Sequence, residues 1–253
     1  MSDSASLVRF YEDAYSQAPG QASQSARWRA LSARGKADHV TTLCAHAGVW
    51  AGGNPINTLE VGCGDGALLC ELHRRGFGGR LSGVEISAAA VSIARERRQI
   101  DSVDLYDGLQ LPFDDGAYDL GILSHVLEHV PDPAKLLAEV ARACRAVLVE
   151  VPLEANLSAR RSGKRVHAAE VGHLQRMDRA EARTTVGRAG LSIACELDDP
   201  LPLEVQRFFA DTHSARALAT AKWAVRAGLH RLAPPLARRL FTVHYACLCL
   251  PDG

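Results

Sequence analysis

No stretch of the sequence reaches the roughly 18 consecutive apolar residues that a bilayer-spanning helix needs. The opening residues, with Ser2, Asp3 and Ser4, also lack the basic-then-apolar order of a signal peptide. A cytoplasmic location is therefore expected, with peripheral membrane contact left open. There is no excess of charge of either sign: 29 Lys+Arg balance 29 Asp+Glu, for a formal net charge of zero. That argues against a nucleic-acid backbone as the main partner, and the low aromatic content of 6% points the same way. The seven cysteines, at 44, 63, 70, 144, 195, 247 and 249, form no CxxC pair. Buried free thiols are the expected state, and no metal site is expected from them. Internal repeats and low-complexity tracts are lacking as well.

What is present is a change of hydrophobic period along the chain. Helical spacing at 7–15 and 27–49, separated by Pro19 and Gly20, precedes a turn at Gly52, Gly53, Asn54 and Pro55. Short apolar runs at 57–61, 80–84, 102–106, 118–124 and 145–151 then alternate with amphipathic stretches at 67–75, 88–99 and 133–143. This alternation predicts βαβ units and a mainly parallel sheet covered on both faces. A helix over 179–189, stopped by Gly190, leads to a strand at 191–197, and a last strand is expected at 241–250. Between them, Leu218, Ala221, Val225, Leu229 and Leu232 recur at helical spacing, with Pro234 and Pro235 ending the helix. The expected organisation is 1–55 as helices over a cleft and 56–253 as the core, with a mainly helical insertion at about 198–240.

The most informative segment is Leu59-Glu60-Val61-Gly62-Cys63-Gly64-Asp65-Gly66, at the end of a strand and the start of a helix. Glycines at 62, 64 and 66 permit a tight turn that a ligand can approach closely. Dinucleotide sites use a related device, but here the spacing is GxGxG without the GxGxxG pattern. Glu60 suits a positively charged ligand end, and a loop salt bridge is its plainer alternative. Glu85, about 20 residues beyond the loop and at a strand end, is placed to accept two ribose hydroxyls. Ile86 follows it, and Ser87 is expected to cap the next helix. Asp107 is placed for an adenine amino group, with Gly108 and Leu109 beside it; a plain surface turn is the alternative.

These motifs, in this order, resemble the class I S-adenosylmethionine-dependent methyltransferases, in particular the group of ubiquinone-type and natural-product enzymes. The resemblance is good over 58–152 and loose elsewhere. It rests on VGCGDG, Glu85, Asp107, the Leu111-Pro112-Phe113 and Tyr118-Asp119-Leu120 segments, and Ser124-His125-Val126-Leu127-Glu128-His129-Val130. It implies a Rossmann-like three-layer α/β/α sandwich whose seven-stranded, mostly parallel sheet has an antiparallel last strand. It also implies S-adenosyl-L-methionine as cofactor and S-adenosyl-L-homocysteine as product, with Glu60, Gly62, Cys63, Gly64, Gly66, Glu85, Ile86, Asp107, Gly108, Leu109 and Ser124 as the binding residues.

Methyl transfer from a sulfonium is a direct displacement, so alignment and dryness matter most. His125, beside the expected methyl position, and His173, in Gly172-His173-Leu174, are the candidate catalytic residues, each with a loop-holding alternative. Arg160, Arg161, Lys164, Arg165 and His167 could attract an anionic acceptor or simply face solvent. The insertion, with Phe208, Phe209 and Trp223, could cap the cavity, meet a membrane surface or meet a second subunit. The expected function is O- or N-methylation of a small specialised metabolite by a monomer or homodimer, with C-methylation compatible. A protein or RNA acceptor, or a non-catalytic cofactor-binding partner, are the alternatives.

Overall fold

The computed structural model describes residues 3–16, 23–50, 52, 54–160 and 172–252, with the side chains of 3–6 excepted. Pro19, Gly20, Gly53, Arg161, Lys164, Arg165 and His167 lie outside them. Helices α1 (Asp3–Ser16) and α2 (Gln24–His46) precede β1 (Thr58–Val61), α3 (Ala67–Arg74), β2 (Leu81–Glu85), α4 (Ala88–Arg95) and β3 (Ser102–Leu105). Next come β4 (Tyr118–Ser124), α5 (Pro133–Ala143), β5 (Cys144–Pro152), α6 (Arg179–Arg188) and β6 (Leu191–Asp199). The chain finishes with α7 (Leu203–Arg207), α8 (His213–Leu232), α9 (Pro234–Leu240) and β7 (His244–Pro251).

The seven strands lie in the order β3-β2-β1-β4-β5-β7-β6. Strands β1 to β5 pair in parallel, and β7 runs antiparallel to both β5 and β6. The expected architecture is therefore the observed one. Its cause is visible in β5, where Val147, Val149 and Val151 join the core on one face and Ala146 and Leu148 join the core on the other. A strand apolar on both faces is stable only between two layers of helices. Helices α5 and α6 supply one layer (Leu137, Val140, Ala182, Val186), and α2 and α3 supply the other (Val40, Leu43, Leu68, Leu72).

Helix ends follow local chemistry. Ser23, Ser87 and Asp132 each accept a hydrogen bond from an amide three residues on, and Asp178 with Glu181 forms a reciprocal capping box. Helix α4 stops at Arg95, short of the expected 99. There Arg97 and Ile100 turn the chain back so that Asp101 N–H can donate to Leu81 O at the start of β3. Pro234 and Pro235 do follow the end of a helix, and they also open α9, because a first-turn residue needs no amide hydrogen. The last turn of α9 keeps Phe241 bonded to Ala237 O, which delays β7 until His244.

Because β1 lies between β2 and β4, the chain reverses its direction of growth there. A crevice opens beyond the carboxyl ends of β1 and β4 at that point. Among the described residues no helix is long and apolar enough to cross a membrane.

Gly79 tests the fold directly. Its φ is +94°, and a Cβ there would overlap the backbone carbonyl of Ile56, which cannot move without disturbing β1. Gly79→Ala is expected to cost at least about 2 kcal/mol, or roughly 4–8 °C in Tm for a chain this long. Gly187→Ala, in α6 with nothing near its added Cβ, should leave Tm unchanged or raise it. Thermal unfolding of the two variants side by side checks this.

Candidate active site

The turn after β1 holds Gly62, Gly64 and Gly66 at φ of 72°, 54° and 74°, a region costly for residues with a Cβ. A side chain at Gly62 would meet Val126 Cγ2 at 2.8 Å, and one at Gly64 would run into the hydroxyl of Tyr15. Gly62, Cys63, Gly64 and Asp65 line a cavity of about 850 Å³. Gly66 lies outside that lining: it caps α3 and gives room to Ile100.

Glu85, at the end of β2, is buried and faces the same cavity. Its Oε2 accepts from Gly64 N–H at 2.9 Å, and its Oε1 accepts from Ile86 and Ser87 N–H at 2.7 and 3.1 Å. Burial pushes its pKa up, and the three amides pull it back. One carboxylate thus ties the glycine loop to the neighbouring strand.

Glu60 also lines the cavity, and its buried Oε2 has no hydrogen-bond partner. Burial lifts its pKa to about 8; Lys36 opposes the rise, and Asp65 and Glu85 add to it. A carboxylate so placed, beside a cradle that a Cβ would fill, fits the cationic methionyl end of S-adenosylmethionine. Asp107 is exposed at the rim, where its Oδ1 accepts from Leu109 and Gln110 N–H at 2.8 and 2.9 Å. Those two amides hold its pKa low. The same turn brings Gly108 and Leu109 to the cavity, and Ile86 reaches it from the end of β2.

Sequence reasoning did not find Arg29, Tyr11 or Tyr15. Arg29 Nε lies 3.0 Å from the buried Asp65 Oδ2, and its guanidinium sits 4.8 Å over the Tyr15 ring. Both tyrosines come from α1 and line the cavity, Tyr15 beside Gly64 and Tyr11 with its ring 5.6 Å from that of His129. Their only sequence signal is their spacing of four on one helix face.

On the other side of the cavity stand Ser124, His125, Glu128, His129, Glu154, His173 and His244. His125 has a φ of 60°, the only positive value for a non-glycine among the described residues. Its Nδ1 is 3.3 Å from Glu128 Oε1 and its Nε2 is 3.4 Å from Glu150 Oε1. Burial lowers the His125 pKa, and so does Lys36, but Glu128 and Glu150 outweigh them and raise it. Glu150 is fully buried; burial favours its neutral form, yet His125, His244 and His39 hold its pKa far down. Burial pulls His39 down too, but Asp199 and Glu150 lift it to about 10. His173 is placed differently. Its Nδ1 is 2.8 Å from Glu154 Oε2, which leaves Nε2 outside that bond. Ser124 Oγ donates to Glu150 Oε2 at 3.1 Å.

Of the insertion at about 198–240, Leu201 lines the cavity, and no residue of 203–240 does. Phe208 and Phe209 pack on Trp28, itself a lining residue, and His230 and Arg238 tie α8 and α9 to Asp198 on β6. Helix α8 has no buried residue. Of the basic run only Arg160 is described, and it is exposed.

Residues 59–146 match the family model described as methyltransferase domain. Over 94 residues the chain is 33% identical to ajmaline N-methyltransferase of Rauvolfia serpentina, covering 35% of this chain and 32% of that one. Over 109 residues it is 31% identical to the ubiquinone biosynthesis O-methyltransferase of Acinetobacter baylyi, covering 41% and 42%. The chain thus spans about a third to two-fifths of the curated relatives it matches. The structure of magnesium protoporphyrin IX methyltransferase from Synechocystis PCC 6803 aligns over 99% of this chain and 100% of that one, with a TM-score of 0.62 and 15% identity. With the glycine loop, Glu85 and this strand order on the same crevice, residues 59–146 carry a methyltransferase domain, and the chain resembles the class I S-adenosylmethionine-dependent methyltransferases.

Proposed function

We propose that this chain transfers a methyl group from S-adenosylmethionine to a small-molecule acceptor, at an oxygen or a nitrogen. One observation carries the reading. The glycine loop, Glu60 and Glu85 share a single cavity with His129, His173 and Tyr11, and its volume of about 850 Å³ lies within the roughly 300–1,000 Å³ usual for small-molecule sites. The relatives named as N- and O-methyltransferases agree with an acceptor of this class.

S-adenosylmethionine, when bound, supplies a methyl group on a sulfonium. Glu60 faces its cationic end, Glu85 its ribose, and the Asp107 turn its base. Helix α1 and the first half of α2 form the cover of the cleft in this reading, with Tyr11 and Tyr15 excluding water. His173 is the base proposed for an acceptor that must lose a proton: Glu154 orients the ring through Nδ1 and leaves Nε2 to accept. His125, with both ring nitrogens facing carboxylates, shapes the floor beside the reacting atoms.

The test is turnover of methyl-labelled S-adenosylmethionine against a panel of phenolic, carboxylic and amine acceptors. Label in a small-molecule product is the expected result. Label only in added protein or RNA, or none with any acceptor class, would overturn the reading. With the acceptor in hand, His173→Asn is expected to lower kcat about 10²–10⁴-fold while S-adenosylhomocysteine affinity stays unchanged. Equal loss of both would make His173 a structural residue.

A further inference from the structure

We propose that His125, Glu150 and His244 form a binding site for one divalent transition-metal ion, open on the cavity side. The three residues come from the loop after β4, from β5 and from the start of β7, and their ligand atoms all lie within 4.8 Å of one another. His125 Nε2 is 3.4 Å and His244 Nδ1 3.2 Å from the same Glu150 oxygen, Oε1. An ion bound tetrahedrally with bonds of about 2.0–2.1 Å places its ligand atoms roughly 3.3 Å apart. The two spacings fit an ion's ligand shell as well as they fit hydrogen bonds, and the third, between the two imidazoles, lies within 4.8 Å.

Hydrogen bonding accounts for the cluster poorly. His39 Nδ1 also points at Glu150 Oε1, from 3.4 Å. Three imidazole nitrogens therefore converge on an oxygen with two lone pairs, and only that of His244 makes a hydrogen bond. His125 Nε2 and His39 Nδ1 are buried without a hydrogen-bond partner, while His39 Nε2 lies 3.2 Å from Asp199 Oδ1. The surroundings are also those of a ligand set. Ser124 Oγ holds the other oxygen of Glu150, and the other nitrogen of His125 faces the carboxylate of Glu128. A carboxylate behind a ligating histidine fixes its tautomer and strengthens it as a donor.

His125 and His244 line the cavity while Glu150 lies behind them. Three protein ligands with a free position are the pattern of a catalytic ion. Two imidazoles and one carboxylate suit zinc, cobalt, nickel or iron(II) better than magnesium or calcium. The free position would take an oxygen of the acceptor, a step that rests on the methyltransferase reading; the ion site itself does not. No cysteine takes part, and ligands at 125, 150 and 244 form no local motif.

The experiment is titration of chelator-treated protein, purified without a histidine tag, with Co²⁺ by absorbance and with Zn²⁺ by calorimetry. One equivalent should bind, with the ligand-field bands of a four- or five-coordinate nitrogen/oxygen site. His244→Ala and Glu150→Gln should each weaken it at least about 100-fold. Retained S-adenosylhomocysteine binding identifies the variants that fold, and His244→Ala alone decides if Glu150→Gln does not. No saturable site, undiminished binding in His244→Ala, or a thiolate charge-transfer band would overturn the proposal. Failure of the wild-type protein to bind S-adenosylhomocysteine would strike the methyltransferase reading and leave the metal result standing.

Discussion

Replacing Glu85 with alanine is expected to weaken S-adenosylhomocysteine binding at least about 100-fold, or roughly 2.7 kcal/mol. Two losses combine. A charged acceptor facing hydroxyl groups contributes about 1.5–3 kcal/mol per hydrogen bond, and the ribose reading gives Glu85 two such partners. The same carboxylate accepts from the amides of Gly64, Ile86 and Ser87, so its removal also loosens the glycine loop, which then keeps only the Gly62 and Cys63 amide bonds to Val84 O as its ties to β2. Glu85→Gln keeps the volume and one acceptor oxygen, and should fall between wild type and alanine. Calorimetric titration of the three proteins checks the order. Wild-type affinity in Glu85→Ala would remove Glu85 from the site.

The second large effect is on pH. Glu60 has its pKa lifted to about 8 by burial, so in the free protein it is mainly protonated at neutral pH. A cationic ligand end stabilises the carboxylate and lowers that pKa, so binding must expel a proton below pH 8. Affinity is then expected to rise with pH by up to about tenfold per unit until about pH 8, and to level off above it. The folding sign is the opposite. A folded-state pKa above the unfolded value gives stability that is full below about 4.5 and is lost as pH rises through about 8. Glu60→Gln should flatten both dependences. Affinity measured across pH 6–9, with proton release read from buffers of different ionisation enthalpy, tests this. A proton release that persists in Glu60→Gln would assign it to another group.

Much of the fold was legible because the pattern was strong where it mattered. The bounds of β4 and α5 follow directly from apolar runs and from Pro133 in a first helical turn. The short helix α7 and the restart of the chain as α9 were not foreseen, since five and seven residues carry too little period to show. The crevice half that holds Glu60, the glycine loop and Glu85 is local in sequence, so its residues could be named together. The other half is not. His39, Glu150 and His244 meet only because α2 lies over the sheet and β7 inserts beside β5, and no spacing along the chain announces either contact. Arg29 and Tyr15 escaped notice for the same reason: Arg29 meets Asp65 and Tyr15 only through the fold, at 36 and 14 residues along the chain.

The most direct test of the central claim is calorimetric titration of the folded wild-type protein with S-adenosylhomocysteine, followed by the same titration with NAD. The account predicts one site of micromolar affinity, about −8 kcal/mol, for the first and no saturable binding for the second. No binding of S-adenosylhomocysteine, or a preference for NAD, would contradict it.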